Sequence, residues 1–183
     1  NVFDRLVVQQ HPECFNLSRF NNYDPLTMMN DFIDVNFVSV DLGNWRTGFE
    51  AFQEDEVLAT LEQTALEAEA LLPIDGPLTL CVMPSPYSWM LDPFNGALVN
   101  VLGAETLLAA CNDIDSCGDP LRLQTLYAYD YAYQVRQSGV MFLQQTFLEL
   151  MVYTGRAEDF ARHFVPDAEF PWTMGIGEAD EAD

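Results

Sequence analysis

The stretch LYAYDYAYQVRQ, residues 126–137, places four tyrosines at every second position around a single aspartate. This alternation is typical of a strand with its tyrosines on one side, and tyrosine is frequent in sheets. Length favours a helix instead, because residues 121–137 contain no glycine or proline and 17 residues would be long for a strand. Asp119 as an N-cap followed by Pro120 is also a favoured helix start. The residue pattern therefore favours a helix.

Further helices are predicted on both sides of this stretch. Residues 55–72 carry an apolar stripe with glutamates on the far side, which is the pattern of an amphipathic helix that ends at Pro73. Residues 141–152 and 156–164 predict two more helices, which are separated near Gly155.

Short apolar runs predict a small sheet. Residues 77–84, PLTLCVMP, indicate a buried strand between prolines, and residues 97–103 indicate a second strand. Residues 104–110 fit either a short helix or a further strand. A short helix at residues 26–32 and a strand at residues 35–42 are predicted in the irregular N-terminal part.

These elements predict an α+β fold, with a small sheet packed against helices. A length of 183 residues fits one domain. We expect this domain to span residues 1–175, with an irregular N-terminal part. The acidic residues 176–183 contain little to bury and are expected to form a mobile tail.

The charge of the chain argues against two classes of partner. Seven basic side chains, all arginine, stand against 29 acidic ones, which gives a net charge of −22. Such a surface repels nucleic acid and anionic membranes, and no apolar run approaches the roughly 18 residues needed for membrane insertion. The charge suits another protein with a basic or mixed surface, bound calcium, or a high-salt medium. Simple solubility explains it equally well.

The cysteines are Cys14, Cys81, Cys111 and Cys117, and they can pair in more than one way. Cys111 and Cys117 close a short loop that a disulfide can bridge, which would leave Cys14 with Cys81. No Cys-x-x-Cys pair is present, so a structural zinc site is not expected. The even cysteine count, a first residue other than methionine and the acidity favour an exported protein, periplasmic or secreted. A cytosolic protein with four reduced thiols is the alternative.

Candidate calcium ligands lie in the segment NDIDSCGDP and are Asp113, Asp115 and Asp119. Oxygen ligands crowded around a glycine suit calcium, although their spacing departs from the EF-hand loop. An acidic turn that is held by a disulfide and starts the next helix explains the same residues. His11 and His163 are candidate ligands for a transition metal, although a lone histidine is more often a surface or helix-end residue.

Two motifs follow one another in the second half of the chain. Residues 129–136 read YDYAYQVR, and residues 154–161 read TGRAEDFA. They resemble a family of predicted zinc-dependent peptidases of the minimal gluzincin-like type. In that family His-Glu-x-His-His with a hydrophobe and arginine stands at the first motif, and Glu-Gly-x-Ala-Glu-x-Phe-Ala stands at the second. The similarity covers residues 77–164, and more weakly 55–72. It implies a helix at 126–137 and a minimal zincin-like architecture.

The resemblance also implies that the zinc chemistry has been lost. In such peptidases two histidines one helical turn apart and a third ligand from the next helix hold zinc, while a glutamate activates its water. In this chain the histidine positions are Tyr129 and Tyr133, the glutamate position is Asp130 and the third-ligand position is Thr154. Phenols, with a pKa of about 10, are poor zinc ligands at neutral pH. The resemblance therefore implies a pseudo-peptidase without catalytic residues.

The cleft that would remain consists of Tyr129, Asp130, Tyr133, Thr154 and Glu158. The hypothesis is that this cleft binds a peptide or another subunit, and that the chain is an interaction or accessory subunit. Alternatively, the tyrosines simply pack in the core. Two other functions stay open: a metal-binding exported protein, and a hydrolase with a carboxylate-based site.

Overall fold

The computed structural model describes residues 57–84, 96–111, 117–140 and 144–170, together with Cys14 and Glu50. This described part has an α+β fold, with a small sheet packed against helices, as predicted. Its three helices and three strands are, in chain order, α1 (Val57–Leu71), β1 (Thr79–Pro84), β2 (Ala97–Gly103), β3 (Thr106–Cys111), α2 (Gly118–Ser138) and α3 (Phe147–Phe164).

The central strand of the described sheet is β3, in the order β1-β3-β2. It pairs in parallel with β1 and antiparallel with β2, which precedes it across a tight turn at Ala104 and Glu105. A central strand that is covered on both faces suits the apolar sequence TLLAAC of β3. Of the two alternatives for residues 104–110, the strand is therefore the correct one.

One face of the sheet packs against α1 and α2. Leu107 and Ala109 of β3 lie in a buried cluster with Leu61 of α1 and Ala128 of α2. Because side chains alternate along a strand, Leu108 belongs to the opposite face. Leu108 is buried as well, so the sheet forms a layer within the core.

A disulfide, Cys14–Cys81, lies on the face of the sheet opposite to α1 and α2. Cys81 pairs with Leu108 in the β1–β3 register and therefore lies on the same face as Leu108. Its bond to Cys14 brings residue 14 to that face, although the two cysteines are 67 residues apart in the chain.

Both disulfides suggested by the cysteine spacing are formed, Cys14–Cys81 and Cys111–Cys117. None of the cysteines is free. Cys111 ends β3 and Cys117 immediately precedes α2. The short bridge therefore fixes the end of the central strand to the start of this helix.

The tyrosine-rich stretch lies in α2, which confirms the predicted helix. α2 contacts the sheet, α1 and α3, and none of its side chains from Leu121 to Arg136 is exposed. A helix whose side chains are all buried or half-buried shows only a weak amphipathic pattern, which explains why its sequence also fits a strand. The predicted N-cap is wrong: α2 begins at Gly118, so Asp119 lies in its first turn. The helix ends at Gly139, which has a φ of 70°.

α3 is one continuous helix, so the predicted break near Gly155 is wrong. Thr146 caps its start, accepting a hydrogen bond from the backbone of Glu149, whose carboxylate in turn accepts one from the Thr146 backbone. A glycine inside a helix costs only about 1 kcal/mol. The capping box and the burial of Ala157 and Ala161 in the core outweigh that cost.

Several predictions fall on other parts of the chain. The helix at residues 26–32, the strand at 35–42 and the tail at 176–183 lie outside the described residues. Among the described helices, none is long and apolar enough to cross a bilayer.

Candidate functional site

Tyr129 and Tyr133 share one face of α2, as their spacing predicts. The Tyr129 hydroxyl donates to the backbone carbonyl of Leu72 at 3.1 Å, and its ring stacks on Phe160 with ring centres 6.3 Å apart. Tyr133 packs against the buried cluster that contains Tyr129. The two phenols therefore fill the junction between the end of α1 and α3.

Asp130 is buried between α2 and α3, with only 2% of its surface exposed. The side-chain amide of Gln134 donates to its Oδ2, and Arg156 Nη2 lies 3.8 Å from its Oδ1. Burial raises the pKa of the Asp130 carboxyl, while the Gln134 hydrogen bond and the Arg156 charge oppose that shift. The Gln134 amide also donates to the carbonyl of Tyr153 at 3.2 Å, so this polar group joins the two helices.

Thr154 and Glu158 of α3 interact with Tyr127, which lies on the side of α2 that carries Asp130. The side chains of Tyr127 and Thr154 are hydrogen-bonded to each other. Burial is the main cause that raises the Tyr127 pKa, and the nearby charges of Glu158 and Asp130 raise it further. Burial also raises the pKa of Glu158, opposed by the charge of Arg162.

The predicted cleft residues therefore divide into two groups. Asp130, Thr154 and Glu158 interact with Tyr127, whereas Tyr129 and Tyr133 pack in the cluster around Phe160, against which Tyr127 also packs. Sequence reasoning did not assign Tyr127 to this group. Its position three residues before Asp130, on the same helical face, is the signal that could have identified it.

Tyr131 contacts a different part of the chain from the other tyrosines of α2, around Gln145 and Tyr153. Its hydroxyl donates to Gln145 Oε1 at 2.6 Å, and its ring meets Tyr153 edge-on with centres 5.8 Å apart. Burial raises the pKa of both Tyr131 and Tyr129 to about 12. These two phenols are therefore neutral at physiological pH and act as hydrogen-bond donors rather than as anionic ligands.

The metal-site predictions remain predictions. Asp119 is exposed in the first turn of α2, while Asp113, Asp115 and His11 lie outside the described residues. His163 is exposed near the end of α3, with its ring against Phe164. Within the described ranges, no three His, Cys, Asp or Glu side chains converge in a way that could hold a metal ion.

Two apolar surface features are present besides the predicted cleft, and the second of them shares Tyr129 with it. The first half of α3 exposes Phe147, Leu148, Met151 and Val152 by 77%, 70%, 56% and 49% of their surface. A cavity of about 420 Å³ lies between α1 and β1. The sequence could not reveal this cavity, because it results from the distance at which α1 packs against the sheet.

Comparisons with known protein families, with curated proteins and with solved structures find no match to this chain. The similarity to zinc peptidases therefore rests on the two motifs at residues 129–136 and 154–161, and it stays a prediction.

Proposed function

We propose that this chain is a non-catalytic, exported protein that acts as an interaction or accessory subunit, with a pseudo-peptidase ancestry. The observation that carries the proposal is the exposed apolar face on the first half of α3. The face consists of Phe147, Leu148, Met151 and Val152. Contiguous apolar surface of this kind is characteristic of protein-binding sites.

The helix holds this face in a defined position. The Thr146–Glu149 capping box fixes the start of α3. Ala157 in the second half is wholly buried in a cluster with Tyr131 and Val135 of α2. The apolar side chains recur at i, i+1, i+4 and i+5, so they project from one side of an anchored helix, which is a known way of presenting a binding surface.

The packing of the predicted cleft supports a non-catalytic role. Asp130 is surrounded by groups that join α2 to α3, and the Tyr129 hydroxyl donates to Leu72. A general base has to lie within hydrogen-bond reach of a substrate. With 2% of its surface exposed, Asp130 offers little room for one.

The disulfides and the charge support export and a basic partner. Disulfides such as Cys14–Cys81 and Cys111–Cys117 persist mainly in oxidising compartments. A chain of net charge −22 attracts partners with a basic or mixed surface and repels nucleic acid.

The test compares two matched variants in cross-linking to the native partner. Met151→Gln removes an apolar side chain from the α3 face, and Leu71→Gln removes an equally exposed one from α1, at 56% and 55% exposure. We expect Met151→Gln to lose most of the cross-linked partner and Leu71→Gln to retain it. Equal capture by both variants would count against the α3 face.

The catalytic alternative is tested separately with peptide and glycoside substrates. The proposal expects no turnover by the purified chain, with or without added zinc or calcium. Turnover that disappears in Asp130→Asn, while the exposed control Asp167→Asn keeps it, would establish a carboxylate-based hydrolase instead.

A further inference from the structure

The cavity between α1 and β1 has mainly apolar walls. Leu61 and Leu66 contribute from α1, Leu80 and Val82 from β1, and Leu107 from β3. Its volume of about 420 Å³ lies in the range of known binding pockets. The cavity does not overlap the exposed face of α3.

The apolar surface continues from the cavity onto the outside of α1. Leu58 and Leu66 line the cavity, and both are about half exposed. A small molecule inside the cavity would leave these leucines in water. An occupant that covers them as well has to be larger, which favours a protein segment.

The charged side chains that line the cavity are negative, and the cationic Arg136 lies close to the lining residues Gly76 and Pro77. Glu62 and Glu69 line it and are exposed, and no basic side chain stands among the described lining residues. They are seven residues apart on α1, which places them two turns apart on one side of the helix, about 10 Å from each other. Together with the net charge of −22, they favour a cationic occupant.

A buried hydroxyl gives a further polar feature. Thr125 lines the cavity from α2 and is wholly buried, and its hydroxyl finds no hydrogen-bond partner among the described residues. An unpaired buried hydroxyl is unfavourable. Because the Thr125 hydroxyl has no accessible surface, a polar atom of an occupant would pair with it only after a small displacement of this wall.

We infer that this cavity binds a short segment of a partner protein in which basic residues flank apolar ones. The apolar side chains fill the space between α1 and β1, and the basic groups pair with Glu62 and Glu69. The inference rests on the proposed function as an interaction protein, but it names a surface separate from the α3 face.

The test is a fluorescence-anisotropy titration with a labelled peptide of leucine and arginine, on the full chain. Ala65 lines the cavity, so Ala65→Phe fills it from inside. We expect this variant to weaken binding at least about tenfold. The double variant Glu62→Gln/Glu69→Gln should weaken it about fivefold at low salt. The control Asp167→Asn/Glu169→Gln also removes two exposed charges and should change binding less than about twofold.

Five outcomes would overturn the inference. The first is no binding of the arginine peptide, and the second is equal binding of a peptide with glutamate in place of arginine. The third is unchanged affinity in Ala65→Phe, provided that circular dichroism shows it folded. The fourth is self-association of the chain that Ala65→Phe abolishes, because the occupant would then be a second copy. Competition by hexylamine at the affinity of the peptide would also overturn it, in favour of a small-cation site.

Failure of this inference is distinguishable from failure of the proposed function. If the peptide does not bind but Met151→Gln still loses the native partner, only the cavity assignment falls. If the peptide binds and Met151→Gln keeps the native partner, the α3 face is not the interaction surface, while the cavity assignment stands.

Discussion

Arg136 connects three parts of the fold through backbone carbonyls. Its guanidinium donates to the carbonyl of Ala104 between β2 and β3, and to the carbonyls of Asp75 and Pro77 between α1 and β1. Only arginine has enough donors in a planar fork to make such contacts at once. This side chain therefore fixes two loops to the C-terminal end of α2.

The loss of these contacts should be measurable. We expect Arg136→Lys to lower the free energy of unfolding by about 2 kcal/mol, because an ammonium group cannot reach all three carbonyls. Arg156→Lys is the control, since Arg156 is exposed and lies 3.8 Å from Asp130, and it should cost less than about 1 kcal/mol. Urea denaturation of both variants decides the matter, and equal stability of Arg136→Lys and the wild type would contradict this role.

The buried carboxyl of Asp130 should make stability depend on pH. Its pKa in the folded chain is raised above the ordinary value of 3.8, so at a pH between these two pKa values the folded state holds a proton that the unfolded state has lost. Stability from this group is therefore present at low pH and is lost as the pH rises from about 4 through the folded pKa.

Replacing Asp130 by asparagine should remove the contribution of this carboxyl to the pH dependence of stability. We expect Asp130→Asn to be more stable than the wild type at pH 7 and to lose less stability between pH 4 and pH 7, because an amide does not ionise. Asp167→Asn, an exposed control, should leave the pH dependence unchanged. Chemical denaturation across this pH range is the measurement. A steeper loss in Asp130→Asn would mean that the attraction of Arg156 outweighs the cost of burial.

At the scale of the elements, two glycines should respond to alanine in opposite ways. An added Cβ at Gly155 in α3 meets no atom of the described residues within 4 Å, so Gly155→Ala should stabilise the chain by about 1 kcal/mol. Gly139 at the end of α2 has a φ of +70°, and Gly139→Ala should destabilise it by about 1 kcal/mol. Thermal melting of the pair tests both signs. Destabilisation by Gly155→Ala would show that α3 needs flexibility at this position.

Most elements were predictable from the sequence, because local signals agreed with their environment. The apolar runs of β1 and β2 and the stripe of α1 are examples. Gly155 misled the prediction because the capping box at Thr146 and the packing of α3 act over a longer range than one residue. α2 was ambiguous because side chains that are buried or half-buried all round the helix weaken the periodic contrast on which such predictions depend.

The site was less predictable than the elements. The spacing of Tyr129 and Tyr133 placed them correctly on one face of α2. The position of Tyr127 among Asp130, Thr154 and Glu158 depends on the angle at which α3 crosses α2, and no short stretch of sequence specifies that angle.

At the scale of the whole molecule, the two disulfides should contribute unequally to stability. The Cys14–Cys81 bridge spans 67 residues and the Cys111–Cys117 bridge spans six. Because a longer loop loses more entropy when it is closed, we expect loss of the first to cost about 4 kcal/mol and loss of the second about 2 kcal/mol.

Paired serine variants test this order. Cys14→Ser/Cys81→Ser should unfold at lower urea concentration than Cys111→Ser/Cys117→Ser. The wild-type protein, which has both disulfides, is the reference. The opposite order would show that the short bridge, which fixes the end of β3 to the start of α2, does more than restrict the unfolded chain.

The enclosure of α2 has a consequence for how this protein can diverge. Between Leu121 and Arg136 no side chain is exposed, so nearly every replacement there disturbs a neighbour on the sheet, α1 or α3. Packing constrains the outer sides of α1 and α3 less, because side chains such as Leu66 and Leu148 are exposed there. Descendants of this chain can therefore acquire new partners by drift on those two helices more readily than by change in the tyrosine-bearing helix.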